Sequence, residues 1–412
     1  MTETSTTSRP ISVDEVASLV RRAQQESLAL TVVSGGHGPW SRDPGAPGLR
    51  IELGALADVR VEGTRVSVGG GATWGAVAAV LAEHGLAISS GDTSSVGVGG
   101  LTLGGGIGWM VRAWGLAVDQ LVGAQIVTAS GDVVEASENA HPELFWALRG
   151  GGGNFGIVTR FDFEAHRLPG IVFGEYAVSG DAATVLRVAR EVLRGAPREL
   201  TVTFMDVPAM DPSAPAGASL NAVWAGSDPE QLRAVMAPVA ALAAVTEKIS
   251  TPRYRDILMA MPEPDGEAPA GPPGFIGGNG LFAELEDDLI DRLVAFRAAY
   301  PASIIFLRSL GGAFGDVAQD ATAFPARSAN WFVMAGAFDI PGMVDDAARA
   351  AIRADWQHIE TGRLAEYGNF ADTERPEAVP GMFAEAAYAR LRAVKAQWDP
   401  QNVFRRNHNI VV

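Results

Sequence analysis

The stretch Arg149-Gly-Gly-Gly-Gly-Asn-Phe-Gly-Ile-Val-Thr-Arg160 decides which kind of fold this chain forms. From Gly151 to Gly156 it satisfies the spacing G-x-G-x-x-G. In dinucleotide-binding folds that spacing follows a strand and opens a helix, so that the pyrophosphate meets the helix N-terminus. Here the context is reversed. Residues 142–148 have the pattern of a short helix, and residues 156–163 read as a strand. The context therefore argues against a doubly wound nucleotide fold, and the glycines read as places where the backbone turns sharply or approaches something closely.

On either side of this stretch glycine is unevenly spread: it is dense between Ser34 and Gly156 and sparser beyond. Ser12-Val-Asp-Glu15 is a capping box opening an amphipathic helix to about residue 25. Residues 28–33 read as a strand that ends in Ser34-Gly-Gly-His-Gly38, and 65–69 as another. Residues 73–83 read as a helix with Val77, Val80 and Leu81 on one face. The segments 122–128 and 133–136 flank Ser130-Gly-Asp132, a hairpin signal. From 171 to about 340 the pattern changes: strand-like runs at 200–205 and 220–224 alternate with longer helices at 229–243 and 287–299. Residues 262–280, rich in Pro and Gly, read as a flexible loop near a binding site. A helix over 384–397 stops at Asp399-Pro400, and Asn402-Val-Phe-Arg-Arg-Asn-His-Asn-Ile410 closes the chain.

Composition bounds the function. The 412 residues suit two domains. A formal charge of −16 without a basic cluster argues against a nucleic-acid partner, which needs a positive footprint. The absence of cysteine excludes disulfides, thiolate metal sites and cysteine nucleophiles, and the six histidines are scattered, so no metal is expected. No apolar run approaches the roughly 20 residues of a membrane span. The longest, 235–245, contains Pro238 and reads as part of a buried helix. The polar first residues lack the order of a signal peptide, and a disordered tail over 1–10 of a cytoplasmic protein is expected. Nothing in the pattern reports the oligomeric state.

Two segments carry chemistry. Gly91-Asp-Thr-Ser-Ser-Val-Gly-Val-Gly-Gly100 runs into Leu101-Thr-Leu-Gly-Gly-Gly-Ile-Gly108. So many free backbone N–H groups form a nest that binds phosphate without Lys or Arg, and Thr93, Ser94, Ser95 and Thr102 add hydroxyl donors. Such a loop also suits a tight structural turn. In Ser34-Gly-Gly-His-Gly38 the glycines leave His37 without packing neighbours and let a planar group lie against the backbone. Imidazole is a competent nucleophile near neutral pH, yet in isolation this histidine equally suits a turn.

The order of these motifs is more specific than any one of them. A strand with SGGHG is followed by GGGATWG, the long glycine loop, Gly115-Leu-Ala-Val-Asp119, the hairpin and helix-RGGGGNFGIVT. The chain ends on Asp399-Pro-Gln-Asn-Val-Phe404 and Asn407-His-Asn409. This order resembles the FAD-linked oxidoreductases of the p-cresol methylhydroxylase and vanillyl-alcohol oxidase superfamily, and within it the berberine-bridge-enzyme-like branch. The resemblance implies an α+β fold. It places a two-subdomain FAD-binding domain of the p-cresol methylhydroxylase (PCMH) type at 11–169 and a substrate domain, an antiparallel sheet covered by helices, at 170–368. A C-terminal berberine-bridge-like segment at 369–412 returns to the FAD domain.

The resemblance also implies roles for residues. His37 matches the histidine bonded to the 8α-methyl of the isoalloxazine, and Ser34, Gly35, Gly36 and Gly38 match the loop around the pyrophosphate. Gly91, Thr93, Val96, Gly97, Gly100 and Thr102 match the second FAD loop, continued by Gly105 and Gly108. Asp119 matches the acidic position after the next glycine. Gly152, Asn154, Gly156 and Val158 match the strand beside the cofactor, and Asn407 and Asn409 the C-terminal return. Three departures stand out. Thr93 replaces the cysteine that in many relatives bonds flavin C6, so FAD is expected to be held through His37 only. Tyr367-Gly-Asn-Phe370 lacks the second tyrosine of Tyr-x-Asn-Tyr, and Phe324-Pro-Ala-Arg327 lacks the histidine of Phe-Pro-His-Arg.

The implied activity is oxidation of a small organic molecule, an alcohol, amine or secondary-metabolite intermediate, by hydride transfer to flavin N5. Val96 matches a position that in plant relatives tends to be Val in oxidases and Leu in dehydrogenases, so the resemblance implies room for O2 as electron acceptor, giving hydrogen peroxide. Tyr367 and Tyr388, the latter in Ala387-Tyr-Ala-Arg-Leu391, are the candidate bases, each working against a pKa near 10. Trp331, Phe332 and Asn369 are candidates for the substrate pocket. A flavin dehydrogenase and a non-catalytic flavin- or metabolite-binding protein are the alternatives within this fold, and a nicotinamide enzyme the alternative outside it.

Overall fold

The computed structural model describes residues 5–38, 41, 48–208, 217–259, 274–340, 342, 344–371 and 376–412. The N-terminal part forms two sheets. Thr6–Ser8, Gly48–Glu52 and Ala29–Val33 make a small parallel sheet with Gly48–Glu52 in the middle. The helix Val13–Gln25, N-capped by the Ser12 hydroxyl, buries Val16, Ala17, Val20 and Ala23. The disordered tail expected over 1–10 is therefore corrected at Thr6–Ser8: three residues satisfy their backbone groups on the edge of Gly48–Glu52.

A five-stranded antiparallel sheet follows, in the order Val59–Glu62, Arg65–Gly69, Ile157–Glu164, Leu121–Val127, Val133–Ala136. The hairpin at Ser130-Gly-Asp132 forms as its sequence requires, with Val127 opposite Val133. The decisive glycine stretch lies between the helix Pro142–Leu148 and the central strand Ile157–Glu164. The N–H groups of Gly150 and Gly152 both donate to the Leu103 carbonyl, at 3.1 and 3.0 Å. The run thus folds over the end of the short helix Val98–Leu103 and opens no helix of its own.

The C-terminal half is built on a seven-stranded antiparallel sheet. Its order is Val245–Ser250, Val172–Val178, Gly217–Trp224, Leu200–Val207, Ser303–Ser309, Trp331–Asp339, Gly274–Phe282. The helices Ala182–Gly195, Pro229–Ala240, Asp287–Ala299 and Asp346–Ile359 cover one face. Strand side chains alternate between faces. Leu200, Val202, Phe204, Ile305, Leu307, Val333 and Ala335 enter the helix-covered core, whereas Phe306, Phe332 and Met334 join Ile107, Val111 and Leu116 of the N-terminal part.

This alternation corrects one pocket assignment. Trp331 is odd-numbered in the same register as Val333 and is buried under the helices, so it cannot line a pocket on the opposite face. Two further expectations change. Residues 274–280 of the supposed loop form an edge strand, and the rest of that loop lies outside the described residues. Its glycines mark close packing: a Cβ at Gly278 would sit 2.7 Å from the Trp356 indole nitrogen. The apolar run 235–245 is only partly helical, since the helix ends at Ala240 and Val245 starts a strand.

Candidate functional site

Two glycine segments meet where the strand Ala29–Val33 ends. A Cβ on Gly35 would lie 2.1 Å from the Gly97 backbone nitrogen, and one on Gly97 would lie 2.2 Å from the Gly35 nitrogen. Only two glycines allow the loops to close backbone to backbone. The Ser34 hydroxyl anchors the first loop on the Gly70 carbonyl at 2.7 Å. Across the same junction the His37 imidazole, which is exposed, meets the second loop: its Nε2 lies 3.0 Å from Ser95 Oγ. Gly36 turns the loop with φ +77°, and Ser41 Oγ donates to the Gly36 and Gly38 carbonyls.

The remaining residues expected at the cofactor separate by what their atoms touch. Gly100 is exposed with open space where a Cβ would be. Thr102 is fully buried and its hydroxyl has no partner among the described residues. Val96 is partly buried beside the core that holds Trp74, and its carbonyl accepts the Trp74 N–H. Gly91, Gly105 and Gly108 admit Leu101, Phe324 and the Ser90 carbonyl at close range. Thr93 pairs with Met259 of the C-terminal half in an isolated parallel bridge.

Other side chains are spent on protein. Both Asp119 oxygens are taken by Arg327, at 2.7 and 2.8 Å, in a buried pair. Asn154 donates to the Gly151 and His408 carbonyls and accepts the Ile410 N–H, so it clamps the C-terminal segment. Gly156 packs on Ile126, and Val158 enters the core. By contrast, Asn407 and Asn409 each have a buried Oδ1 with no partner among the described residues. Such orphaned acceptors are costly unless a ligand supplies N–H or O–H donors.

The aromatic side of the site is organised by Tyr367. It is 2% exposed, and its hydroxyl oxygen accepts from Gly106 N (3.0 Å), Ile107 N (3.4 Å) and Asn369 Nδ2 (2.7 Å). Burial pushes its pKa up to about 12, against the opposing pull of those three donors. A phenol that already receives three donors and is harder to ionise than usual is a poor proton acceptor, which argues against Tyr367 as the base. Asn369 also donates to the Leu101 carbonyl at 3.0 Å, so it ties the 367–370 turn to the glycine loop. The rings of Phe332 and Phe370 flank Tyr367 at 5.7 and 5.8 Å, and Phe370 is 52% exposed. Tyr388 is not brought here. It lies on the helix Glu385–Trp398, stacks on Phe383 and packs beside the core of the N-terminal part. Among the described residues its hydroxyl makes no hydrogen bond to His37, Tyr367 or Asn369, so this geometry does not support its assignment as a base.

Sequence reasoning passed over three contributors. His408 Nε2 lies 2.6 Å from the Gly368 carbonyl and joins the C-terminal segment to the 367–370 turn. Arg308, 1% exposed, pairs with Asp92 at 2.5 Å, donates to Thr203 Oγ1 and lies 4.5 Å over the Trp109 ring. A lone arginine within Ser-Ile-Ile-Phe-Leu-Arg-Ser was the available signal, because a buried charge must be paired. Tyr254 reaches Ser90 Oγ at 3.1 Å, and burial raises its pKa to about 12.

Comparisons with known proteins agree with this geometry. Residues 6–137 match a family model described as FAD binding domain, and residues 366–411 match one described as berberine and berberine like. The chain is 29% identical over 436 residues to (R)-6-hydroxynicotine oxidase of Paenarthrobacter nicotinovorans, covering 98% of this chain and 90% of that protein. It is 30% identical over 426 residues to an FAD-linked oxidoreductase of Neurospora crassa, covering 96% and 82%. The solved structure of a chitooligosaccharide oxidase superposes with a TM-score of 0.84 over 99% of this chain and 92% of that one, at 22% identity, a likeness of fold.

Proposed function

Because the chain belongs to the berberine-bridge-enzyme-like branch of the FAD-linked oxidoreductases, we propose that it is an oxidase holding FAD covalently through His37 alone. Its substrate is a small organic molecule and its electron acceptor is O2, which leaves as hydrogen peroxide. The observation that carries this reading is the junction at Gly35 and Gly97, where an exposed imidazole stands over two loops that touch through their backbones. The donor set suits the cofactor. Backbone N–H groups of the two loops would receive the pyrophosphate, and the orphaned Asn407 and Asn409 oxygens would accept from the cofactor's own N–H and hydroxyl groups. With no cysteine in the chain, a thioether at C6 has no donor.

When bound, FAD supplies two-electron acceptance from a C–H bond. The protein supplies position. Phe306, Phe332 and Met334 give the sheet an apolar face toward the FAD-binding part, and exposed Phe370 extends it. That surface favours an apolar or aromatic substrate carrying an alcohol or amine carbon. Tyr367 and Asn369 hold the turn bearing Phe370 against the loop at Leu101.

Anaerobic mixing with panels of aromatic alcohols, aromatic amines and oligosaccharides tests the reading. Bleaching of the flavin by a member of the first two panels, followed by recovery in air with hydrogen peroxide formed, is the expected result. A flavin that no panel bleaches would favour the non-catalytic alternative. A flavin that stays reduced for minutes in air would favour a dehydrogenase. Val96→Leu is expected to slow reoxidation more than reduction.

A further inference from the structure

We propose that Ser95 is the positioning residue for flavin attachment: its hydroxyl holds Nε2 of His37, so that Nδ1 forms the bond to the cofactor. This rests on the reading of His37 as the covalent anchor. The contact is direct, 3.0 Å from Nε2 to Oγ. It crosses the junction where the two glycine loops touch, and the Ser95 carbonyl oxygen lies 2.9 Å from where a Gly35 Cβ would be. The backbone contact at Gly35 and Gly97 therefore brings the loops bearing ring and hydroxyl within reach of each other. The neighbouring Ser94 faces elsewhere: its N–H and hydroxyl both reach the Met259 carbonyl.

The chemistry requires a partner at Nε2 that can reverse its role. A neutral imidazole carries one N–H, and the other nitrogen keeps the lone pair. With the proton on Nε2 donated to Ser95 Oγ, Nδ1 is the free nucleophile. During attachment the Nδ1–carbon bond forms and one 8α C–H bond breaks. The imidazole proton and the C–H hydrogen are lost, and O2 accepts both hydrogens and the electron pair as hydrogen peroxide. Afterwards Nε2 has no proton and must accept. A serine hydroxyl accepts before the reaction and donates after it by rotating about its C–O bond. An alanine does neither, and a threonine does both.

The test follows covalent flavin, not turnover. Purified full-length protein, the Ser95→Ala, Ser95→Thr and Ser95→Val variants and His37→Ala are incubated with FAD in air. Aliquots are acid-precipitated, and flavin in the pellet is read by fluorescence. The proposal expects attachment slowed about tenfold in Ser95→Ala, the scale of one lost hydrogen bond. It expects Ser95→Val, which has the shape of threonine without its hydroxyl, to be equally slow, and Ser95→Thr to be restored to near the native rate. Proteolysis of the native product should place the flavin on Nδ1 by the NMR signature of the isolated histidyl-flavin. Attachment at native rate in Ser95→Ala and Ser95→Val, or a bond at Nε2, overturns the proposal while leaving His37 as anchor. Absence of covalent flavin in the native protein overturns the anchor itself.

Discussion

Tyr367 offers one oxygen to three donors, and this decides its role at the residue scale. Tyr367→Phe leaves the Gly106 N–H and an Asn369 N–H without an acceptor, a cost of about 1–3 kcal/mol. Thermal unfolding should register that loss. Turnover should fall by much less than the roughly 10²-fold or more that a general base contributes, and the shape of the pH–rate profile should survive. Loss of a basic limb from that profile would restore Tyr367 as the base. The buried tyrosines also set an alkaline limit. Tyr254 and Tyr367 titrate near 12 in the folded chain and near 10 when unfolded. Their contribution to stability is whole below pH 10 and is lost as pH rises from 10 toward 12, because the unfolded chain gives up its phenolic protons first. A denaturant midpoint that falls between pH 9 and 11.5 checks this. The glycine neighbours and motif order of His37 were readable in the sequence, whereas its contact with Ser95 across the two loops was not. Trp331 was misplaced because its face depends on strand register, which a bulky aromatic does not reveal.

At the scale of elements, the C-terminal helix Glu385–Trp398 does more than stop at Asp399. Lys395 and Asp399 are both fully buried, and Lys395 Nζ donates to Asp399 Oδ2 (2.7 Å) and to the carbonyls of Asn154 (2.8 Å) and Phe404 (2.9 Å). Asp399 in turn accepts the Val403 and Phe404 N–H groups. One ion pair therefore folds the tail that carries Asn407 and Asn409. Lys395→Met strands a buried carboxylate, at about 3–5 kcal/mol. A lower unfolding temperature and a lower flavin-to-protein absorbance ratio are expected together. An unchanged ratio would separate the tail from the cofactor. Helix and strand positions were largely readable, as at Asp287–Ala299 and the Ser130-Gly-Asp132 hairpin, because periodicity and turn chemistry are local. The strand Gly274–Phe282 was not, because its glycines answer to residues distant in sequence, as Gly278 does to Trp356.

Across the whole molecule, three buried guanidinium groups join the FAD-binding part to the seven-stranded sheet. Arg112 donates to the carbonyls of Leu200 (2.7 Å), Ala196 (3.1 Å) and Leu310, Arg308 pairs with Asp92, and Arg327 grips Asp119. The two halves are expected to unfold in one transition, and Arg327→Met should lower its midpoint by the equivalent of about 3–5 kcal/mol, since Asp119 is left buried without its partner. Non-coincident far-UV dichroism and flavin fluorescence in the native protein would contradict this coupling. None of these ties was foreseen, because a domain interface joins residues that no local pattern relates. The intact mass of the denatured chain reports whether a single histidyl bond holds the flavin. The expected mass is the polypeptide plus one FAD less two hydrogens, with His37→Ala at the bare polypeptide mass. A native chain at the bare mass, with all its flavin in the acid supernatant, would contradict it.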